Sequence, residues 1–111
     1  MERTEVTIVH IKENSWLATL AARKLRSAKV AMVLGNTIHL HHTTKTSFLS
    51  NKKWVCHELT HVQQYRRYGF VRFIFLYLIE SIRKGYHQNK FEMEARQNET
   101  NEQIMDQFIF P

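Results

Sequence analysis

Residues 51–68 read NKKWVCHELTHVQQYRRY, and the spacing of residue types within this stretch predicts one α-helix. Val55, Leu59 and Val62 recur at three- and four-residue intervals, as expected of an apolar stripe that faces a core. Asn51 is a favoured capping residue for the amino-terminal end of such a helix. The stretch therefore predicts a helix that packs on the core with one side and leaves its other side accessible.

That other side carries His57, Glu58 and His61. Residues four apart lie on one helical face, so the two imidazoles can reach a single metal ion. Glu58 lies beside them, where its carboxylate suits a general base that takes a proton from water. This H-E-x-x-H arrangement is typical of zinc hydrolases and predicts a catalytic Zn²⁺ site. The alternative is a surface helix with two unrelated histidines.

The segment before this helix is predicted to form a strand, a helix and two further strands. Residues 6–11 are rich in β-branched side chains and predict the first strand. A capping residue at 14 or 15 begins a helix that continues to about Ser27. The other two strands, 29–34 and 37–42, are separated by a Gly-Asn turn.

In the third predicted strand, Ile38 and Leu40 alternate with His39 and His41, the pattern of a strand with one solvated face. We interpret these histidines, with His42, as strand residues rather than as metal ligands. The segment from Ile38 to Leu40 is instead predicted to be a sheet edge, to which an extended peptide could add as a strand.

Two further helices are predicted downstream. Residues 70–82 are almost wholly apolar, but the stretch is shorter than the ~20 residues that span a bilayer, and it contains Arg72 and Glu80. We therefore predict a buried helix that ends at Gly85, with peripheral contact on a lipid surface as the alternative. A second helix is predicted from about Lys90 to Met105.

A catalytic zinc commonly has three protein ligands and one open position, so a third ligand is expected downstream of His61. The acidic cluster on a predicted helix there is FEMEAR, residues 91–96, which contains Glu92 and Glu94. Two residues apart on a helix, these carboxylates point too far apart to bind one ion together. Either one is a candidate.

The motif and the order of elements resemble those of the gluzincin metallopeptidases, and the short chain is similar to the minimal gluzincins. The resemblance implies zinc-dependent hydrolysis of a peptide or protein substrate, with Glu58 as general base. It also implies Glu92 as the third ligand, with Glu94 as the alternative in a thermolysin-like register. Arg96 stands where the family commonly has an acidic or amide side chain, so no acceptor for a ligand histidine is expected there.

Two further features bear on catalysis. Tyr86 and His87, in the predicted loop before the glutamate helix, are candidate donors to a developing oxyanion. The tail from Asp106 to Pro111 contains Phe108-Ile109-Phe110 and is predicted to pack on the core. The resemblance to minimal gluzincins, which can be latent, offers the alternative that the tail occupies the cleft of its own or a neighbouring molecule.

The whole chain predicts a single small α+β domain over residues 1–111, with a three-stranded sheet, a backing helix, the motif helix and the glutamate helix. With 3 glycines and 1 proline, it has no linker-like stretch. The amino terminus lacks the layout of a secretory signal and one cysteine cannot form an internal disulfide, so we expect a cytoplasmic protein. Cys56 is interpreted as a small helix residue rather than a redox switch.

The net charge is +6, from 16 basic and 10 acidic residues. This charge suits an acidic partner or nucleic acid, but the basic residues are spread along the chain, which favours solvated surfaces. The alternative function is therefore a zinc-binding module without catalysis that binds nucleic acid or an acidic protein. Glu58 argues against it, because a structural zinc site has no use for a base.

Overall fold

The computed structural model describes residues 6–111. Its strands are Thr7–Ile8 (β1), His10–Lys12 (β2), Val30–Leu34 (β3), Thr37–His41 (β4) and Phe108–Ile109 (β5). Its α-helices are Trp16–Leu25 (α1), Lys45–Ser50 (α2), Lys52–Tyr68 (α3), Phe70–Gln88 (α4) and Lys90–Gln97 (α5). Two 3-10 helices, Asn98–Thr100 and Glu102–Gln107, precede β5. The predicted α+β class and three-stranded sheet are confirmed.

The three-stranded sheet has the order β2-β4-β3, in which β2 is parallel and β3 antiparallel to β4. A separate two-stranded sheet pairs β1 with β5 in parallel. The single strand predicted at residues 6–11 is thus divided at Val9, which is fully buried in the main core. The prediction that Ile38 to Leu40 form a sheet edge is wrong, because β2 inserts beside β4 and leaves β3 at the edge.

Helices cover both faces of the three-stranded sheet. On one face α1 contacts β3 and β4, with Ala18 and Ala22 packed on Val30. On the other face Ile38 and Leu40 are fully buried in the main core, together with residues of α3. The strand periodicity of β4 is therefore as predicted, although α1 rather than solvent covers its second face.

The histidines of β4 belong to the α1 side. Nδ1 of His39 lies 2.8 Å from Oγ of Ser15, and Nδ1 of His41 lies 3.0 Å from Oγ1 of Thr19. Both side chains are thus directed away from the motif helix. Neither His39 nor His41 belongs to the group of possible metal ligands found in residues 6–111, in agreement with the interpretation from sequence.

Helix α4 differs from its prediction as a buried helix. Phe73 packs in the core, but Phe75 is 64% and Ile82 is 84% exposed. The core is small, and α3 and α5 contact only one side of α4. Between residues 6 and 111 no helix has the length and apolar character needed to cross a lipid bilayer.

The ends of the last two helices differ from those predicted. Gly85 has φ +79°, a conformation that favours glycine, and it kinks α4 at the position where the helix was predicted to end. Helical hydrogen bonding continues beyond the kink to Gln88, so the loop predicted there is wrong. The next helix ends at Gln97, so the prediction that it continues to Met105 is wrong. Asn98 and Asn101 follow at this point, and such side chains compete for backbone hydrogen bonds and are poor helix formers.

The carboxy-terminal tail packs on the body of the protein. Phe108 is buried in the main core, the β5 strand pairs with β1, and the backbone N–H of Val9 donates to the carbonyl of Ile109 at 2.9 Å. Lys45 donates to the carbonyl of Pro111. The core-packing prediction is confirmed, and the tail does not occupy the cleft of its own chain.

Candidate metal centre

Helix α3 presents the two motif histidines. Asn51 caps it, because its side chain accepts a hydrogen bond from the backbone N–H of Trp54 at 3.2 Å. Val55, Leu59 and Val62 are fully buried, as their spacing predicts. Anchoring this stripe in the core directs the opposite side of the helix towards a cleft.

Helix α5 positions Glu92. The side chain of Asn89 accepts hydrogen bonds from the backbone N–H groups of Phe91 and Glu92, and its Nδ2 donates to the carbonyl of Tyr77 and to Oγ of Ser81. Asn89 is fully buried and ties the start of α5 to α4. Phe91 then packs in the core, so the next side chain faces the motif histidines.

The three side chains converge on one point. Oε1 of Glu92 lies 3.1 Å from Nε2 of His57 and 3.2 Å from Nε2 of His61, and one potential ligand atom from each residue lies within 4.8 Å of the others. Two ligands of a tetrahedral zinc, each about 2.05 Å from the ion, are about 3.3 Å apart. The group can therefore hold a metal ion with little rearrangement.

Glu94 points elsewhere. Its Oε1 accepts from Nε2 of Gln64 at 2.7 Å, and its Oε2 lies 3.5 Å from Nη1 of Arg67. Of the two carboxylates that the sequence left open, the structure brings only Glu92 to the histidines.

Each histidine has a partner for its other ring nitrogen. Nδ1 of His57 lies 2.9 Å from Oε2 of Glu99, and Nδ1 of His61 lies 2.8 Å from Oε1 of Gln64. Such bonds fix the ring so that Nε2 faces the metal position. Arg96 donates to the carbonyl of His87 and, as predicted, supplies no acceptor for a ligand histidine. Glu99 and Gln64 provide these acceptors instead.

These two acceptors were missed from the sequence. Gln64 is three residues after His61 on the same helix, a spacing that places the two side chains side by side and could have revealed it. Glu99 lies in a 3-10 turn that was predicted as regular helix, so its position could not be obtained from helical spacing.

Tyr77 was also missed, because its segment was interpreted as packing. Its Oη donates to Oε2 of Glu92, which leaves Oε1 directed at the histidines. Of the two candidate oxyanion donors, Tyr86 lines the cavity beside Glu58. His87 does not line that cavity, and its carbonyl is bound by Arg96.

The pKa values of His57, His61 and Glu92 are shifted by the hydrogen bonds that join these side chains. Burial tends to lower the pKa of His57, but hydrogen bonds with Glu92 and Glu99 and the charge of Glu58 raise this pKa to about 9. The pKa of His61 is raised for similar reasons, again against the effect of burial. Glu92 has a lowered pKa, because its bonds to the two histidines outweigh the effect of burial.

Glu58 is not among the three converging side chains but lines the same cavity. Burial raises its pKa to about 7, although the charges of His61 and His57 oppose this shift. Cys56, on the same helix, is fully buried, and burial raises the pKa of its thiol. This favours the interpretation of Cys56 as a packing residue.

His57, His61 and Glu92, which we term the metal group, line a cavity of about 410 Å³. Strand β3 forms one wall, and α1 and α4 contribute further apolar lining, including Leu25, Ile74 and Leu78. Backbone groups of alternate residues point outward at a sheet edge. The carbonyl of Val33 accepts from Oη of Tyr65 at 3.1 Å and so points outward, which places the outward backbone groups of Ala31 along the same edge.

Comparison with known proteins gives one match. The family model described as the eCIS core domain matches residues 6–69, more than half of the chain. The matched segment contains the three-stranded sheet and the H-E-x-x-H helix, but it ends before α4 and α5 and so does not include Glu92. No curated protein and no solved structure matches the chain.

Proposed function

The chain belongs to the eCIS core domain family, and we propose that it is a zinc-dependent metallopeptidase. The observation that carries this proposal is the position of Glu58. Three side chains form a complete ligand group, and the carboxylate beside them lies in the same cavity without belonging to that group. A structural site would not need this carboxylate, whereas a hydrolytic site requires a base.

His57, His61 and Glu92 would hold the zinc. Two imidazole nitrogens and one carboxylate oxygen are a common ligand set for catalytic zinc, and they leave a fourth position open. When bound, zinc supplies a Lewis acid that makes water nucleophilic near neutral pH. Gln64, Glu99 and Tyr77 would keep the three ligand atoms in place through the hydrogen bonds described above.

Glu58 would carry the proton. It accepts a proton from the attacking water as the carbon–oxygen bond forms at the scissile carbonyl. It then donates this proton to the amide nitrogen as the carbon–nitrogen bond breaks. Its burial keeps bulk water away from the transfer and, in the metal-free protein, raises its pKa, which favours acceptance of a proton.

A peptide substrate would bind along β3. This strand is one of the two edge strands of the three-stranded sheet, and it lines the cavity that contains His57, His61 and Glu92. An extended peptide can add to such an edge through backbone hydrogen bonds, starting at Ala31. The apolar lining from Leu25, Ile74 and Leu78 favours an apolar side chain next to the scissile bond.

The test compares wild type with Glu58→Gln, both loaded with zinc, on fluorescently labelled unfolded casein and on a mixed peptide library. Glu58→Gln should retain zinc but lose roughly 10²–10⁴-fold in cleavage rate, because the base is removed. Glu102→Gln is the matched control, because Glu102 pairs with Lys52 at the surface, and this variant should cleave at the wild-type rate. Equal cleavage by Glu58→Gln, or a zinc-loaded wild type that cleaves nothing, would overturn the proposal, and the second result would favour a binding module.

A further inference from the structure

Helix α4 has two different faces between Phe70 and Lys84. Phe73 and Tyr77 face the core and the metal group. The opposite side, which we term the outer face of α4, exposes five large apolar residues to solvent. These residues are between 48% and 84% exposed: Val71, Phe75, Leu78, Ile79 and Ile82.

These residues form one continuous stripe. Positions 71, 75, 78 and 82 are separated by four, three and four residues, which places them on a single line along the helix. Position 79 lies immediately beside this line. Single exposed apolar residues are ordinary, but a contiguous apolar patch of this kind marks an interaction surface.

Basic residues border the stripe at both ends. At 100° per residue, Arg72 and Arg83 fall on the same flank of the outer face. No carboxylate of residues 6–111 lies within ion-pair distance of either one. Glu80 is on the other side of the helix, where it binds the backbone N–H of Lys90 and lies 3.6 Å from Nζ of Lys84. The outer face is therefore apolar and cationic.

We propose that the outer face of α4 docks on an anionic lipid surface. A second copy of the chain is disfavoured, because an antiparallel pairing of two stripes would bring Arg72 of one copy towards Arg83 of the other. A partner protein would need a groove for this convex ridge, whereas a bilayer interface accommodates a ridge directly. Apolar residues would enter the interface and the two arginines would contact headgroup phosphates, as in amphipathic helices that lie in the plane of a membrane.

Docking through the outer face would also bring the cavity close to the lipid surface. Leu78 belongs to the outer face and lines the cavity that contains His57 and Glu92. Docking would therefore place one wall of the cavity at the lipid surface. The proposal itself depends on the surface of α4 and not on peptidase activity.

The experiment is co-sedimentation of the full chain with vesicles of phosphatidylcholine alone and with added phosphatidylserine. Binding is expected only with phosphatidylserine, and F75E/I82E should reduce partitioning by at least about tenfold. The matched control, W16E/L20E, changes two exposed apolar residues of α1 and should bind as wild type. Likewise R72Q/R83Q should weaken binding, while R23Q/K24Q, with the same loss of charge, should not. Circular dichroism checks that every variant is folded.

Three results would overturn the proposal. The first is no binding to phosphatidylserine vesicles by folded wild type. The second is an equal loss in the α1 and α4 variants. The third is a concentration-dependent dimer in sedimentation velocity that F75E/I82E abolishes while vesicles are not bound, since this would assign the outer face to a second copy.

Discussion

Polar side chains are largely buried at the floor of the cavity, by which we mean His57, His61 and Glu92 with their hydrogen-bond partners Gln64, Glu99 and Tyr77. Apolar side chains are exposed on the outer face of α4. At the floor, His61, Gln64 and Glu92 are buried, and no buried polar side-chain atom in residues 6–111 lacks a hydrogen-bond partner. On the outer face, Val71, Phe75 and Ile82 are exposed and are not covered by any part of residues 6–111. The raised pKa values of His57 and His61 favour a hydrogen-bonded group that is in place before a metal binds, whereas the outer face is the surface that we propose meets an external partner.

The largest expected effect separates the two faces of α4. Phe73→Ala should lower the free energy of unfolding by about 3–5 kcal/mol, because it leaves a cavity in the core. Phe75→Ala should change it by no more than about 0.5 kcal/mol, because that side chain is exposed. Urea denaturation of both variants measures the difference, and a large loss in Phe75→Ala would show that the outer face is covered in the folded chain.

The next effect concerns how the floor is organised. Glu99→Ala should weaken zinc binding by roughly 10–100-fold, because it frees the ring of His57 to rotate. Glu102→Ala removes a nearby carboxylate that pairs with Lys52 at the surface and should leave zinc affinity unchanged. Competition with a chromophoric chelator gives both dissociation constants. Equal affinities in the two variants would mean that Glu99 does not orient the ligand.

The smallest expected effect is the change in zinc affinity with each unit of pH. A ligand histidine must be neutral, and the pKa of His57 is raised to about 9, so zinc affinity should rise by up to about tenfold per pH unit between about pH 7 and 9 for each proton released. In the metal-free protein the sign is opposite. The contribution of His57 to stability is full below its ordinary pKa of 6.5 and is lost as the pH rises through about 9.

Zinc titrations in buffers of different ionisation enthalpy count the protons released, and thermal unfolding follows the metal-free protein. A zinc affinity that does not change between about pH 7 and 9 would show that no histidine proton is released when zinc binds in this range. The outer face of α4 contains no comparable titrating group, so the same pH change should leave vesicle binding unaffected.

The sequence predicts the parts of the site that depend on local spacing. His57 and His61 follow from helical periodicity, and Glu92 follows from a family resemblance. Glu99 could not be predicted, because its position depends on where α5 ends and on how the following 3-10 turn folds back to α3. Local residue preferences do not determine where the chain after α5 contacts α3.

Two errors have the same origin. The sheet edge was assigned to Ile38–Leu40 because sequence gives strands but not their order, and β2 reaches β4 from a distant part of the chain. Helix α4 was predicted to be buried because composition gives the number of apolar residues but not how many sides of a helix its neighbours cover. Both depend on contacts between elements, which a single sequence does not specify.

Elemental analysis of the purified protein shows whether His57, His61 and Glu92 bind one metal ion. The measurement uses wild type, Glu92→Ala and Glu94→Ala, each purified without a polyhistidine tag and dialysed against buffer with trace zinc. We predict one zinc per chain in wild type and in Glu94→Ala, and no zinc in Glu92→Ala. A metal-free wild type, or zinc lost in Glu94→Ala but retained in Glu92→Ala, would show that these three residues do not form the metal site.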